Sequence, residues 1–561
     1  MNLLEERWIP VRRESGVTAL IAPHEMTDGV ESDPIVALDA PRPDFNGALI
    51  QFLIGLVQTA WVVADEYWDR DEALWSPPTP EKLRELFSPL KRAFELEGEG
   101  PRFMQDLSLG SADNPTENSV TCLLIEYPGA KTIAENADHF VKRGADPAFC
   151  LPCASVALFT LMTNAPAGGV GNRTSVRGGG PLTTLIKYTR TDVAQPAAAL
   201  WRDVACNVLE VAAFRMEKAG PRELAEIFPW LQSIDQTMGD RGTVQPLDVD
   251  PLQVYWATPR RITLDISVGV AEAAPKSCAI CARTVQRQVA RYHAKNHGLN
   301  YEGPWQHPLS PYYRSKSSAL PLPVHPRPDG LTYRHWLGWT IGTKRGDWEV
   351  LPARCVHAFH STRVSAGQVR MWAFGYDMDK MKPRCWYEGT YPLFDLTTSY
   401  PESPELADVM ASVVTLLVGA AEEVAGHVRD AVWRAWLGAG KGRGDLGFVE
   451  AEFWARTEGE FYAKVERILA MARQFGQETH DRSEPIRREW LDSLRQVAQR
   501  LFDDIAARGC VESGNPAKLA TAHRGLVEHL FGKKLQATLG LVSVEPTGSA
   551  RVRRPGRKVS P

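Results

Sequence analysis

CLPCASVALFTLMTNAPAGGVGNRTSVRGGGPLTT, residues Cys150 to Thr184, is the stretch on which the reading of the fold turns. It opens on Cys150-Leu-Pro-Cys153, runs through an apolar segment to Asn164, and ends in a glycine-rich segment closing at Gly180. A second pair of the same form, Cys278-Ala-Ile-Cys281, follows after a gap of 125 residues. A two-residue spacer lets both sulfurs of a pair face one point, so two pairs supply the four thiolates of a tetrahedral Zn²⁺ shell. The gap is longer than in a compact zinc ribbon. The plain alternative is two unrelated pairs of core cysteines, and a thioredoxin-like redox centre lacks its βαβ context. A four-sulfur shell is closed to solvent, so it would staple loops and perform no hydrolysis.

The segment after the first pair reads as a contact loop. Gly168, Gly169 and Gly171 permit close backbone approach, while Arg173 and Arg177 add charge. A structural turn is the competing reading. Further on, Arg283 to Lys316 interleaves Arg287, Arg291, His293, Lys295, Asn296 and His297 with Trp305, His307, Tyr312, Tyr313, Arg314 and Lys316. Such a mixture can clamp phosphates and stack bases. It can equally be a solvated surface whose aromatics belong to the core.

Around these motifs lies a chain of 561 residues, 44% hydrophobic and 24% charged, long enough for several domains. Its formal net charge of −4 does not argue for nucleic acid, so such contacts must come from locally basic loops. Nine cysteines, four of them in the two pairs, fit a cytoplasmic thiol protein better than a disulfide scaffold. The beginning, with Glu5, Glu6 and Arg7, lacks the pattern of a secretory signal. From Gly47 to Ala64 there are eighteen uncharged residues, a marginal membrane span. Gln51, Gln58 and Thr59 share one helical face, which favours a buried core helix with Asn46 as its N-cap.

The expected fold class is α+β: a large mixed domain over residues 1–400 holding the zinc-stapled region, a four-helix bundle over 401–545, and a basic disordered tail over 546–561. Strands are expected at Leu182–Tyr188 and Arg261–Val268. Helices are expected at about Glu405–Leu437, Phe448–Phe475, Pro485–Arg508 and Pro516–Leu539. Gly438 to Gly442 only mimics a P-loop, because the first glycine and the Ser/Thr are missing. His480-Asp481 alone hints at a metal-dependent phosphohydrolase and has no companion ligands in the sequence.

Several segments together resemble the large subunit of the type I-E CRISPR Cascade complex, the CasA family. They are Met1-Asn-Leu-Leu with Trp8-Ile-Pro-Val11, Pro101-Arg-Phe-Met-Gln105, the stretch quoted above, Cys278-x-x-Cys281, Trp305-x-His-Pro308 with Ser310-Pro311, and Gly375-Tyr376. The resemblance implies a non-catalytic subunit that reads the short motif adjacent to the target in double-stranded DNA, while guide RNA reads the target by pairing. It implies further roles in opening the duplex, forming the R-loop, holding the displaced single strand, binding the small subunits and recruiting a helicase-nuclease. Residues implied at the motif are Ala167, Gly168, Gly169, Val170 and Gly171, with alanine and valine where the family carries more glycine. Matching back from Trp305 puts Asn296, beside Lys295, at a motif-reading lysine. Matching forward from Gly375-Tyr376 puts Lys380, between Asp379 and Met381, at a duplex-splitting position. Leu124, Tyr127 and Pro128 are expected at the guide RNA, and Arg314, Lys316, Arg487, Arg488, Arg495 and Lys518 along the displaced strand. The rival readings are a zinc-stapled nucleic-acid-processing enzyme and a pure assembly scaffold.

Overall fold

The computed structural model describes residues 1–110, 114–138, 147–189, 199–216, 221–238, 242–267, 275–316, 319–361, 368–379, 382–394, 405–436, 446–513 and 516–542. Two compact units emerge: Met1–Leu331 with Gly338–Thr398, and Thr332–Leu337 with Ser399–Pro561. The sequence reading had kept the first 400 residues together. The segment Thr332–Leu337 lies instead in the second unit.

In the first unit, strands β1 (Ile9–Arg13), β2 (Thr18–Ile21) and β3 (Ile35–Leu38) form an antiparallel sheet with β1 in the middle. Helix α1 (Pro43–Ala64) follows; it is apolar around most of its circumference and buried along most of its length, which makes it a core element of this unit. Phe52 on α1 meets Trp8, Phe94, Phe103, Phe159 and Trp256 edge to face at 5.4–6.0 Å between centroids. Its polar residues are satisfied internally: Gln58 exchanges two hydrogen bonds with the Leu209 backbone, and Thr59 accepts from Trp256 Nε1 at 2.9 Å. The helix starts earlier than expected. Arg42 is the N-cap residue and Pro43 stands in the first turn, whereas Asn46 sits inside the helix and accepts from the Ala40 N–H.

Strand β4 (Thr116–Ser119) and strand β5 (Phe149–Cys150) precede helix α2 (Leu151–Asn164), and β6 (Thr183–Thr189) follows the glycine-rich segment. Next come β7 (Arg261–Ser267), the short pair β8 (Lys276–Ser277) and β9 (Thr284–Val285), and β10 (Gln288–Lys295). β7 pairs along the whole length of β10, so β4 and β5 share its other edge. A further sheet joins β11 (Tyr312–Arg314), β12 (Leu322–Pro323), β13 (Thr343–Arg345) and β14 (Trp348–Leu351). The longest pairing is a hairpin of β15 (Gln368–Asp379) and β16 (Lys382–Pro392), with β6 on the other edge of β15.

The second unit is helical. α3 (Glu405–Trp436) packs against α4 (Gly447–Phe475), α5 (Glu484–Ser513) and α6 (Pro516–Leu530). The expected last helix to Leu539 is in fact divided. α6 ends at Leu530, Gly532 caps a short α7 (Lys533–Thr538), and a Cβ at Gly532 would press on the Glu528 and His529 carbonyls at 3.2 and 3.3 Å. Tyr333 of the Thr332–Leu337 segment is buried here, stacked on Phe461 at 4.2 Å and hydrogen-bonded to Thr457 at 2.8 Å. The residues expected in the basic tail and at the P-loop mimic Gly438–Gly442 fall outside the described residues.

Candidate nucleic-acid groove and cysteine site

Cys150 is the N-cap residue of α2, and Cys153 occupies the first turn of that helix. Cys278 and Cys281 lie in the turn between β8 and β9, where Ala282 adopts φ +59° and donates to the Cys278 carbonyl at 3.0 Å. That turn is docked on the first pair by the Ala279 N–H, which donates to Ala148 O at 2.9 Å. All four Sγ atoms lie within 4.8 Å of one another, and Cys150 Sγ is 3.7 Å from Cys281 Sγ. A Zn–S bond of about 2.3 Å requires tetrahedral S–S edges of about 3.8 Å. A disulfide would need about 2.0 Å. The sulfurs therefore fit a metal shell and are not bonded to each other. The Cys150 N–H donates to Cys278 Sγ at 3.3 Å, a bond that suits a thiolate. Accepting from Cys150 and Cys153 also holds the Cys278 thiol well below its ordinary range. The hydrogen bonds to Cys150 and Cys278, with burial, hold Cys153 above it. Shared negative charge of this kind is what a divalent cation would neutralise.

The glycine-rich segment divides into two halves with different work. Gly178–Gly180 is structural: a Cβ at Gly180 would strike Met378 and the Tyr376 carbonyl at 2.9 Å, and Gly180 adopts φ +63°. Ala167–Gly171 is half-exposed to exposed, with Val170 80% accessible and both Gly169 and Gly171 in the left-handed region at φ +78° and +76°. Asn296 Nδ2 donates to Val170 O at 2.6 Å and the His297 N–H to Gly171 O at 2.8 Å. The two motif segments named from the sequence are thus in direct contact across 126 residues of chain.

They border a groove of about 500 Å³. Leu124, Tyr127 and Pro128 form one wall, Ala167, Gly168, Lys295 and Asn296 another, and Lys382 with Pro383 of the hairpin a third. Arg260 and Arg261, just before and at the start of β7, also line it, and sequence reading had passed over them as a strand beginning. The adjacent basic pair was the available signal. Arg261 Nε holds Asp106 at 2.6 Å, while burial pushes Arg260 down to about 10. Among the described residues, Glu126 and Asp138 bring negative charge to the lining, against Arg260, Arg261, Lys295 and Lys382. Asp379 is exposed and pairs in register with Lys382 at the hairpin end. Lys380 and Met381 lie outside the described residues.

Other sequence candidates have structural work. Arg177 is 2% exposed and donates to Gln51, Thr183 and Ser310, so it cannot lend its charge to a DNA backbone. Trp305, His307 and Tyr312 are buried, with Tyr312 Oη accepting from the His307 N–H at 2.7 Å, and do not form a stacking surface. Arg487, 3% exposed, donates to the Leu539 and His480 carbonyls at 2.6 and 2.8 Å. It therefore cannot track a displaced strand. Arg495 donates to Leu530 O at 3.0 Å and lies over Phe531; Arg488 pairs with Glu484 one turn away, and Arg314 with Glu349. Lys316 and Lys518 are exposed. His480 and Asp481 are exposed and 3.4 Å apart, and the one cluster of three or more metal-capable groups among the described residues is the cysteine set.

Fold and site together define a mixed α/β protein with a four-cysteine cluster, a basic-lined groove and a helical second unit. The family model for CRISPR-associated protein Cse1 matches residues 2–501, and the chain belongs to that family. Solved structures share its fold at low identity. CasA (Cse1) from Thermus thermophilus is 16% identical with a TM-score of 0.61, covering 94% of this chain and 99% of its own. Cse1 from Thermobifida fusca is 14% identical with a TM-score of 0.60, covering 97% and 99%. A chain of a CRISPR RNA-guided surveillance complex is 14% identical with a TM-score of 0.63, covering 95% and 99%.

Proposed function

We propose that this chain is the non-catalytic large subunit of an RNA-guided surveillance complex acting in the cytoplasm, and that it reads the motif adjacent to the target in double-stranded DNA. The observation that carries this reading is the groove, which gathers the Tyr127 loop, the Gly168 loop, Asn296 and Lys382 around one basic-lined space. Guide RNA lies against Leu124, Tyr127 and Pro128. The Ala167–Gly171 loop enters the minor groove of the duplex, where glycine backbone reaches a depth that side chains would block. Minor-groove edges are degenerate, so this mode tolerates several motif sequences. Asn296 fixes the loop through Val170 O, and Lys295 and Lys382 meet phosphates. Lys380 and Met381 open the first base pairs beside the motif, with Asp379 facing a base edge or a donor. Zn²⁺ on Cys150, Cys153, Cys278 and Cys281 fastens the β8–β9 turn to α2 and takes no part in chemistry. The helical unit, as a bundle, supports the small subunits and, through Lys518 and Arg488, the displaced strand, which Lys316 of the first unit also meets. The assembled complex then recruits a helicase-nuclease.

The test is a photo-cross-linking amino acid at Val170 in the reconstituted complex, which leaves the buried chain untouched because Val170 is exposed. Cross-links confined to the motif base pairs, and absent on a duplex without the motif, are the expected result. Equal cross-linking along both duplexes means the loop gives general affinity and the motif reading is wrong.

A further inference from the structure

Two walls of the groove are joined behind its surface by a short chain of charged and hydroxyl groups. Arg42, at the N-cap of α1, reaches Glu126 at 2.7 Å, on the wall that carries Leu124, Tyr127 and Pro128. The same guanidinium donates from Nε and Nη2 to the two oxygens of Asp44 at 3.0 and 3.1 Å. Asp44 is buried, and its Oδ2 also accepts from Tyr376 Oη at 2.7 Å. Tyr376 belongs to β15, three residues before Asp379 at the hairpin end. One oxygen thus serves both Arg42 and the hairpin. α1 packs closely on the hairpin here, since a Cβ at Gly47 would strike Phe374 and Trp386 at 2.9 Å.

We infer that Arg42 is a positioning residue that couples occupancy of the guide-RNA wall to the β15–β16 hairpin. This rests on the function proposed above. Glu126 is partly exposed at the groove, so a phosphate chain placed against that wall repels it. Arg42 then loses one of its two carboxylates and shifts its charge onto Asp44. Asp44 Oδ2 is the acceptor Tyr376 uses, so the fuller share of it taken by Arg42 weakens the hydroxyl bond at the base of the hairpin. A purely structural clamp would hold both walls without transmitting anything between them.

Hydrogen exchange on the full chain separates the two cases. The chain is compared alone and bound to guide-RNA-loaded partner subunits without DNA, reading the amides of residues 376–379. Unaltered protein is expected to show at least a threefold acceleration of exchange there on binding. Arg42→Gln should bind the loaded subunits yet lose that change, and Glu126→Gln, which keeps the Arg42–Asp44 pair and so guards against misfolding, should lose it too. An identical acceleration in either folded variant and in unaltered protein overturns the coupling, as does no acceleration in the unaltered protein. Failure of the unaltered chain to bind the loaded subunits at all contradicts instead the function proposed above.

Discussion

Cysteine sulfurs spaced for a metal make the first prediction at the scale of single residues. Cys281→Ser removes one of four thiolates and should lower zinc content below one ion per chain and destabilise the first unit by on the order of 4 kcal/mol. Elemental analysis and thermal unfolding read the two effects. Well-folded protein free of zinc contradicts the assignment. Two glycines make a second, paired prediction. Gly169 and Gly171 share nearly the same positive φ, so alanine at either carries a similar backbone cost of about 1–2 kcal/mol. At Gly171 the added methyl also meets the His297 ring at 2.8 Å, whereas at Gly169 it meets only Asn172 at 3.5 Å. Gly171→Ala should therefore be less stable than Gly169→Ala by roughly 1 kcal/mol, that being the usual scale of a local packing strain. Equal melting temperatures would show that the ring moves aside without cost. The cysteines were legible as candidate ligands from their residue type and pairing, whereas the long gap between the pairs left their meeting to the fold, which brings the four sulfurs within 4.8 Å of one another. Arg177 and Trp305 were not, because arginine and tryptophan serve cores and ligands alike, and only burial tells them apart.

Elements carry the next prediction. Arg487 ties the start of α5 to the end of α7 through backbone carbonyls, so Arg487→Ala should destabilise the helical unit by roughly 2–3 kcal/mol, the scale of charged hydrogen bonds left unmade. Arg488→Ala, at an exposed pair within one helix, should cost less than about 0.5 kcal/mol. Chemical unfolding of the two variants checks the contrast, and equal midpoints refute it. The long elements were readable in advance: α1 from its uncharged run, β6 and β7 as short strand-like runs, α3 from apolar residues spaced by threes, fours and sevens, and α5 and α6 from prolines at their starts. Two-residue strands such as β5, β8 and β9 leave no period to read. The placement of Thr332–Leu337 was equally silent. Tyr333 finds Phe461 and Thr457 more than 120 residues on, and no local pattern encodes such a partner.

For the molecule as a whole, the groove matters more than any one of its residues. Its walls come from five separated parts of the sequence, and only the folded first unit sets the Tyr127 loop, the glycine loop and Lys382 around one space. The family resemblance had named most of these residues individually; their convergence is a property of the fold. The most direct measurement of the central claim is equilibrium binding of the reconstituted, guide-loaded complex to two duplexes that match the guide and differ only in the adjacent motif. With the unaltered chain the motif duplex should bind at least tenfold more tightly, a difference of about 1.4 kcal/mol. With Gly169→Phe that ratio should fall toward one while the complex still assembles. A tenfold preference that survives the substitution, or persists when this chain is left out, would contradict the account.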